Sequence, residues 1–185
     1  MHKAVMISIQ PKWCELIANG KKTFEVRKTK PKLETSFKVY IYCTNTPKHH
    51  HLYDLRPYDK SGKIKLGCVQ HNSTSLVADN YINGKVIGYF LCDWISTYFY
   101  GEMQIPTPAY DGDDSCIDYG EVYFISCGSL KETCLTYEEF ENYGKGETLY
   151  GWHISNLVIY DEPKELSEFG LTRPFRSWGY VEEQK

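Results

Sequence analysis

Three residues near the start of the chain, Lys22, Glu25 and Arg27, put a cation, a carboxylate and a two-pronged donor within one turn and one short strand. Such a set can hold an anion, pair with the edge of a planar heterocycle, or move a proton. A lysine partly withdrawn from water gives up its proton more easily and becomes a usable base or nucleophile. A carboxylate beside it can serve as a general base. Farther along, Trp152, His153 and Trp178 join many of the 16 tyrosines in supplying flat rings. Rings flanked by Lys and Arg suit an unpaired base, because stacking contributes about 1–3 kcal/mol per base and phosphate contacts add a salt-dependent attraction. Blander roles compete with each of these. Lys21 and Lys22 would complement the negative end of a helix, Glu25 and Arg27 would face solvent, and His153 would be a hydrogen-bonded core residue.

Other chemistries find no support. The chain has no Gly-x-Ser-x-Gly elbow, no His-Glu-x-x-His and no Gly-x-Gly-x-x-Gly. Gly144-Lys145-Gly146-Glu147-Thr148 lacks the upstream glycine and the ending of a phosphate loop. Seven cysteines never approach closer than seven positions, so there is no Cys-x-x-Cys pair for zinc or redox work. Three adjacent histidines, His49, His50 and His51, cannot all face one ion from regular structure and read as an exposed loop. The acidic run Asp111-Gly112-Asp113-Asp114 lacks the spacing of a calcium loop. No metal and no cofactor is expected.

The elements that must position Lys22, Glu25 and Arg27 are compressed into the first 28 residues. Ala4 to Ile9 is apolar and β-branched, a strand. Pro11 suits a first helical position, and Trp13, Leu16 and Ile17 form one apolar stripe at i, i+3 and i+4. Gly20 stands where a left-handed residue ends the helix. Thr23, Glu25 and Arg27 then alternate with Phe24 and Val26, a half-buried strand. Pro31 breaks it. Phe37–Cys43 alternates as a further strand, and 84–95 carries the strongest strand pattern, with Gly88 marking a bend or close backbone approach. Between them, 44–83 reads as a long polar insert, either mobile or a binding lid. Tyr100 to Tyr119 reads as a loop. Thr136 and Glu139 have capping-box spacing for a helix to about Tyr143. Trp152–Tyr160 is the closing strand, and Pro163 begins one or two helical turns.

The run Ser8-Ile9-Gln10-Pro11, followed by Gly20-Lys21-Lys22-Thr23-Phe24-Glu25-Val26-Arg27, resembles the opening motif of the ASCH domain, of the PUA-like superfamily. Gly151-Trp152-His153-Ile154 and the tail from Arg173 to Tyr180 resemble late segments of the short ASCH proteins of phages and mobile elements. The resemblance implies an α+β fold, a PUA-like small β-barrel with a few short helices around it. It also implies a cleft on the barrel wall, lined by the turn, the lysine and the strand after it. Compact bacterial members of the family are amidohydrolases acting on N4-acetylcytidine. Lys22 matches their Gly-x-Lys lysine, but their hydroxyl position, three residues on, is Glu25 here. Other relatives bind RNA or modified bases, and some are ribonucleases.

Charge is distributed unevenly. The net charge is −3, yet residues 1–65 carry +9 and residues 66–185 carry −12. A one-sided basic patch fits contact with phosphates at one site; the competing explanation is that the halves neutralise each other across the fold. The combined expectation is one domain over 1–185 with an insert at about 44–83. It would bind RNA, a nucleoside or a nucleotide in a basic, aromatic cleft, or hydrolyse N4-acetylcytidine-like nucleosides or RNA. Lys22 and Glu25 would be catalytic in the enzymatic case. The ligand-binding set is Ser8, Gln10, Lys21, Lys22, Glu25, Arg27, Lys28, Lys30, Trp152, His153 and Trp178. With no apolar spanning run and no leader pattern, a cytoplasmic protein with reduced thiols is expected. The insert offers a surface to a protein partner.

Overall fold

The chain folds as two antiparallel-rich sheets that share an apolar interior. The computed structural model describes residues 2–45, 50–54, 66–70, 81–105, 118–125 and 130–184. In chain order the elements are β1 (Lys3–Ile9), α1 (Pro11–Ala18), β2 (Phe24–Arg27), β3 (Phe37–Cys43), β4 (His50–Asp54), β5 (Leu66–Gln70), β6 (Val86–Cys92) and β7 (Ile95–Ile105). There follow β8 (Asp118–Ile125), α2 (Leu130–Thr133), α3 (Tyr137–Gly144), β9 (Leu149–His153), β10 (Ser155–Lys164), a 3-10 turn at Leu166–Phe169, and β11 (Trp178–Glu182).

One sheet runs β10-β6-β3-β1-β11, with β1 and β3 parallel, and the other runs β2-β9-β7-β8. A two-stranded pair, β4-β5, forms a third sheet. The strands are mixed with few helices, as α+β requires, but they form separate sheets and no closed barrel is found among the described residues. The α+β part of the expectation holds, and the barrel part is not confirmed.

β1 explains why the first sheet is central. Its residues are buried on both faces, so it reads as a continuous apolar run rather than an alternation. Val5, Ile7 and Ile9 face one cluster with Val39, Ile41, Phe90, Trp152 and the α1 residues Cys14 and Ile17. Ala4 and Met6 face the other, with Tyr40, Tyr42, Phe169 and Val181. Pro11 opens α1, Gly20 follows its end at φ +69°, and the Gly20 and Lys21 amides close the last turn onto Ile17 and Leu16. The turn then delivers Lys22 to the start of β2. Thr136 caps α3 through the predicted box with Glu139.

Five sequence expectations need correction. The 44–83 segment contains the β4–β5 pair, whose Leu52 and Leu66 enter the core beside α1, and Asn19 donates to the Leu66 carbonyl at 3.0 Å. His50 and His51 lie on β4 rather than in a loop, and His51 is half-buried with its ring 4.8 Å from Tyr81; His49 falls outside the described residues. The two ends of Tyr100–Tyr119 lie in the β7–β8 pairing, and its middle, with the acidic run, is outside the described residues. The closing strand is two strands, β9 and β10, parted at Ile154 and committed to different sheets. Pro163 belongs to β10, on the outermost position of its sheet where no second neighbour needs its missing N–H. No helix of the described residues is long and apolar enough to cross a membrane.

Gly88 provides the close approach anticipated for it, because a Cβ there would lie 2.1 Å from the Val158 carbonyl of the neighbouring strand. Gly88→Ala should therefore lower unfolding free energy by at least about 1–3 kcal/mol, the usual cost of overpacking. Gly20→Ala, with nothing within 4 Å of its Cβ, should cost only about 1 kcal/mol through its positive φ. Urea unfolding of the two variants checks the order.

Candidate functional site

The C-terminal end of β1, the start of α1, β2 and the α2–α3 region enclose a cleft of about 350 Å³. Its lining includes Ser8, Gln10, Trp13, Lys22, Glu25, Arg27, Thr44, Tyr143 and Arg176. Lys22 and Glu25 are deeply buried, at 3% and 6% exposure. The Lys22 Nζ donates to the Thr133 carbonyl at 2.6 Å and lies 3.5 Å from Glu25 Oε2. It also sits 5.1 Å from the centre of the Trp13 ring. Burial pushes the Lys22 ammonium below the ordinary lysine range, against the opposing pull of the Glu25 carboxylate.

Arg27 ties this group to the first sheet. Its Nη2 meets Glu25 Oε1 at 2.9 Å and donates to the Ser8 carbonyl at 2.8 Å, while Nη1 donates to Ser177 Oγ at 3.3 Å. Ser8 Oγ in turn donates to the Phe175 carbonyl at 2.6 Å, which holds the tail beside the cleft. Arg27 Nε and Thr44 Oγ1 are buried without a hydrogen-bond partner. The arrangement offers a fixed carboxylate, a lysine inclined to lose its proton, and further cations at the opening, with rings to each side.

Of the residues singled out from sequence, Ser8, Gln10, Lys22, Glu25 and Arg27 meet at this cleft. Lys21 is exposed on the turn. Lys28 pairs with Glu147 at 2.9 Å and lies 5.8 Å from the ring of Tyr143, at the margin. Lys30 sits over Tyr150 at 5.3 Å. Trp152 faces the same side of its sheet as Glu25, its register partner, but is wholly interior, edge-on to Phe37 and Trp178. Trp178 donates from Nε1 to Thr29 Oγ1 at 3.0 Å. His153 pairs with Phe24 on the opposite face and bonds Asp93 at 2.7 Å. Although slight burial works the other way, that bond holds the Asp93 carboxyl below the usual carboxylate range. Among the described residues no group of three or more metal-ligating side chains gathers.

Sequence reasoning missed Arg176, Tyr143, Thr44 and the Thr133 carbonyl. Arg176 lay inside the tail run that carried the family resemblance, which was a usable signal. Trp13 was assigned to the apolar stripe of α1, yet it is only half-buried, with the Lys12 ammonium 4.4 Å and the Lys22 ammonium 5.1 Å from its ring.

A family model of the ASCH domain matches residues 7–72, and the ASCH domain belongs to the PUA-like superfamily. The fold is similar to the crystal structure of ASCH from Zymomonas mobilis, at 16% identity and a TM-score of 0.53, covering 97% of this chain and 88% of that one. Two point-mutant structures of that protein align equally, at 17% and 16% identity and TM-scores of 0.54 and 0.53, covering 98% and 97% of this chain and 92% and 89% of theirs. No curated protein matches the sequence significantly.

Removing Glu25 strands two cations that are largely out of water. Glu25→Ala should destabilise the fold by about 3–5 kcal/mol, as breaking a buried pair does, whereas Lys28→Ala, at the exposed pair with Glu147, should cost under about 1 kcal/mol. Denaturant unfolding of both variants measures the contrast.

Proposed function

From the premise that this chain carries an ASCH domain of the PUA-like superfamily, we propose that it binds RNA by enclosing one base, plain or modified, in the cleft beside β2. The family's association with RNA binding agrees with this reading. The observation that carries it is the lining: Lys22, Arg27 and Arg176 against the single carboxylate of Glu25, with Trp13 and Tyr143 at the walls. A hollow of about 350 Å³ falls in the range of small-ligand sites, roughly 300–1,000 Å³. The surplus of cations suits a phosphate at the opening, and the rings suit the faces of a base. Lys28 and Lys30, beside Tyr143 and Tyr150, extend the same chemistry outward.

A second reading has its own support. Lys22 is buried, lowered in pKa and 3.5 Å from a carboxylate, which suits proton abstraction from water attacking an acyl group. In this reading the site is an amidohydrolase for N4-acetylcytidine-like nucleosides, with Glu25 standing where the family carries a hydroxyl.

Fluorescence anisotropy with a labelled single-stranded RNA tests the first reading. Affinity should fall steeply with salt, and Lys22→Ala or Arg27→Ala should abolish binding. Arg176→Ala, an exposed change, should weaken binding about 3- to 10-fold and reduce the salt slope by about 0.7, the share of one phosphate on a single strand. Affinity that stays level from low to high salt removes the phosphate from the reading. For the second reading, N4-acetylcytidine hydrolysis should rise with pH as Lys22 loses its proton. Because burial lowers that pKa, the rise should begin below the ordinary lysine range and vanish in Lys22→Arg. No deacetylation at high enzyme concentration rejects catalysis.

A further inference from the structure

Lys22, Glu25 and Arg27 are already engaged with one another and with the chain, which leaves the question of what would recognise the base itself. Two backbone hydrogen bonds answer it by fixing the phase of β2. Ile154 N–H donates to the Thr23 carbonyl at 2.8 Å, and His153 N–H donates to the Trp94 carbonyl at 3.1 Å. His153 therefore turns its main chain toward β7. In the unbroken ladder from Phe24↔His153 to Arg27↔Tyr150, Gly151 does the same, two residues away. Their cross-strand partners, Phe24 and Val26, direct N–H and C=O away from β9. β2 is the terminal strand of its sheet, so these groups face its open side.

The cleft lies along that open side. Glu25 and Arg27 line it from one face of β2. Val26 and Leu135 line it from the other, where the Val26 side chain packs with Tyr98, Phe140 and Leu149. A hollow bounded from both faces of one strand runs along that strand's edge. An unpaired strand edge is a ready hydrogen-bonding template.

We propose that the main chain of Val26 reads the base in this cleft, its N–H and C=O bonding an adjacent acceptor and donor on the base's pairing edge. An extended residue directs both groups the same way, side by side, which matches the pairing edge of any nucleobase. Selection of a free pairing edge over a blocked one then rests on the main chain, while Lys22, Glu25 and Arg27 shape the hollow and set its charge. The inference builds on the proposed nucleobase site and assigns the groups that recognise the ligand there.

The test uses calorimetric titration of the whole chain with the four ribonucleoside monophosphates and with forms methylated at the pairing-edge ring nitrogen. The wild-type protein should bind at least one unmodified nucleotide and disfavour its methylated form about tenfold, as a hydrogen bond left unmade requires. Val26→Pro removes the N–H where an edge strand tolerates proline. It should weaken the unmodified nucleotide about 3- to 10-fold and shrink the penalty for methylation, while Val26→Ala, which keeps the N–H, should retain both. Equal binding of methylated and unmodified forms by the wild type overturns the assignment without any variant and leaves the RNA-binding reading standing. So does a Val26→Pro protein that matches Val26→Ala. Failure of every nucleotide and of single-stranded RNA to bind overturns both readings together.

Discussion

The feature on which the rest of the structure depends is a carboxylate held between two cations at the unpaired edge of a short strand. Glu25 contacts Lys22 at 3.5 Å and Arg27 at 2.9 Å, all three largely withdrawn from water. Charges so placed incur a desolvation penalty that their mutual attraction only partly offsets, and a well-packed apolar trio of similar volume is often as stable. Folding alone therefore does not call for them. Each cation also bonds a main-chain carbonyl: Lys22 that of Thr133, Arg27 that of Ser8. Through those bonds the edge of the second sheet is joined to the end of β1 and to the α2 turn. The cleft exists because these three elements are held at a fixed separation by ions rather than packed together by side chains.

That placement follows from how the first sheet is buried. β1 and β3 are covered on both faces, one by α1 and the second sheet, the other by the 3-10 turn and the segment after it, with Phe169, Leu171 and Phe175. The chain can leave such a strand only at its end, and Pro11 starts a helix at once. Eight helical residues and a glycine turn then return the chain to begin β2 beside the place where β1 stopped. A polar group emerging at that junction is shielded by both sheets yet open on one side. Lys22, at the end of the turn leading into β2, is in that position.

The stretch from Lys3 to Arg27 was legible because its signals are local: proline at the helix start, a stripe at i, i+3 and i+4, glycine at positive φ, and then alternation. Contacts that depend on distant partners were not. Alternation along β2 placed Glu25 and Arg27 together, but could not orient Lys22, whose direction is set by a carbonyl 111 positions later. Trp152 and His153 are sequence neighbours on a strand, so only one of them could face the Glu25 side, and the register that decides which is absent from any single segment. The continuous run Trp152–Tyr160 hid a change of sheet at Ile154, since apolar residues serve either sheet equally well. Barrel closure is no more legible, because it is a property of pairing, and pairing between distant strands leaves no local mark.

The uneven charge resolves into two behaviours. Lys12, Lys28 and Lys38, all from the basic first third, pair with Glu139, Glu147 and Glu183 of the acidic remainder. To that extent the halves do neutralise each other across the fold. These pairs are at least partly exposed, and each contributes little to stability. Lys22 and Arg27 differ: their carboxylate is Glu25, from their own segment, and it is shared between them. One acid for two cations leaves positive charge over, and Arg176 adds to it from the tail. A residual charge in a recess of low polarisability acts more strongly on a ligand than the same charge on an open surface, where water and salt screen it. The net charge of the chain is thus a poor guide to the charge at the cleft, where Glu25 stands alone beside Lys22 and Arg27.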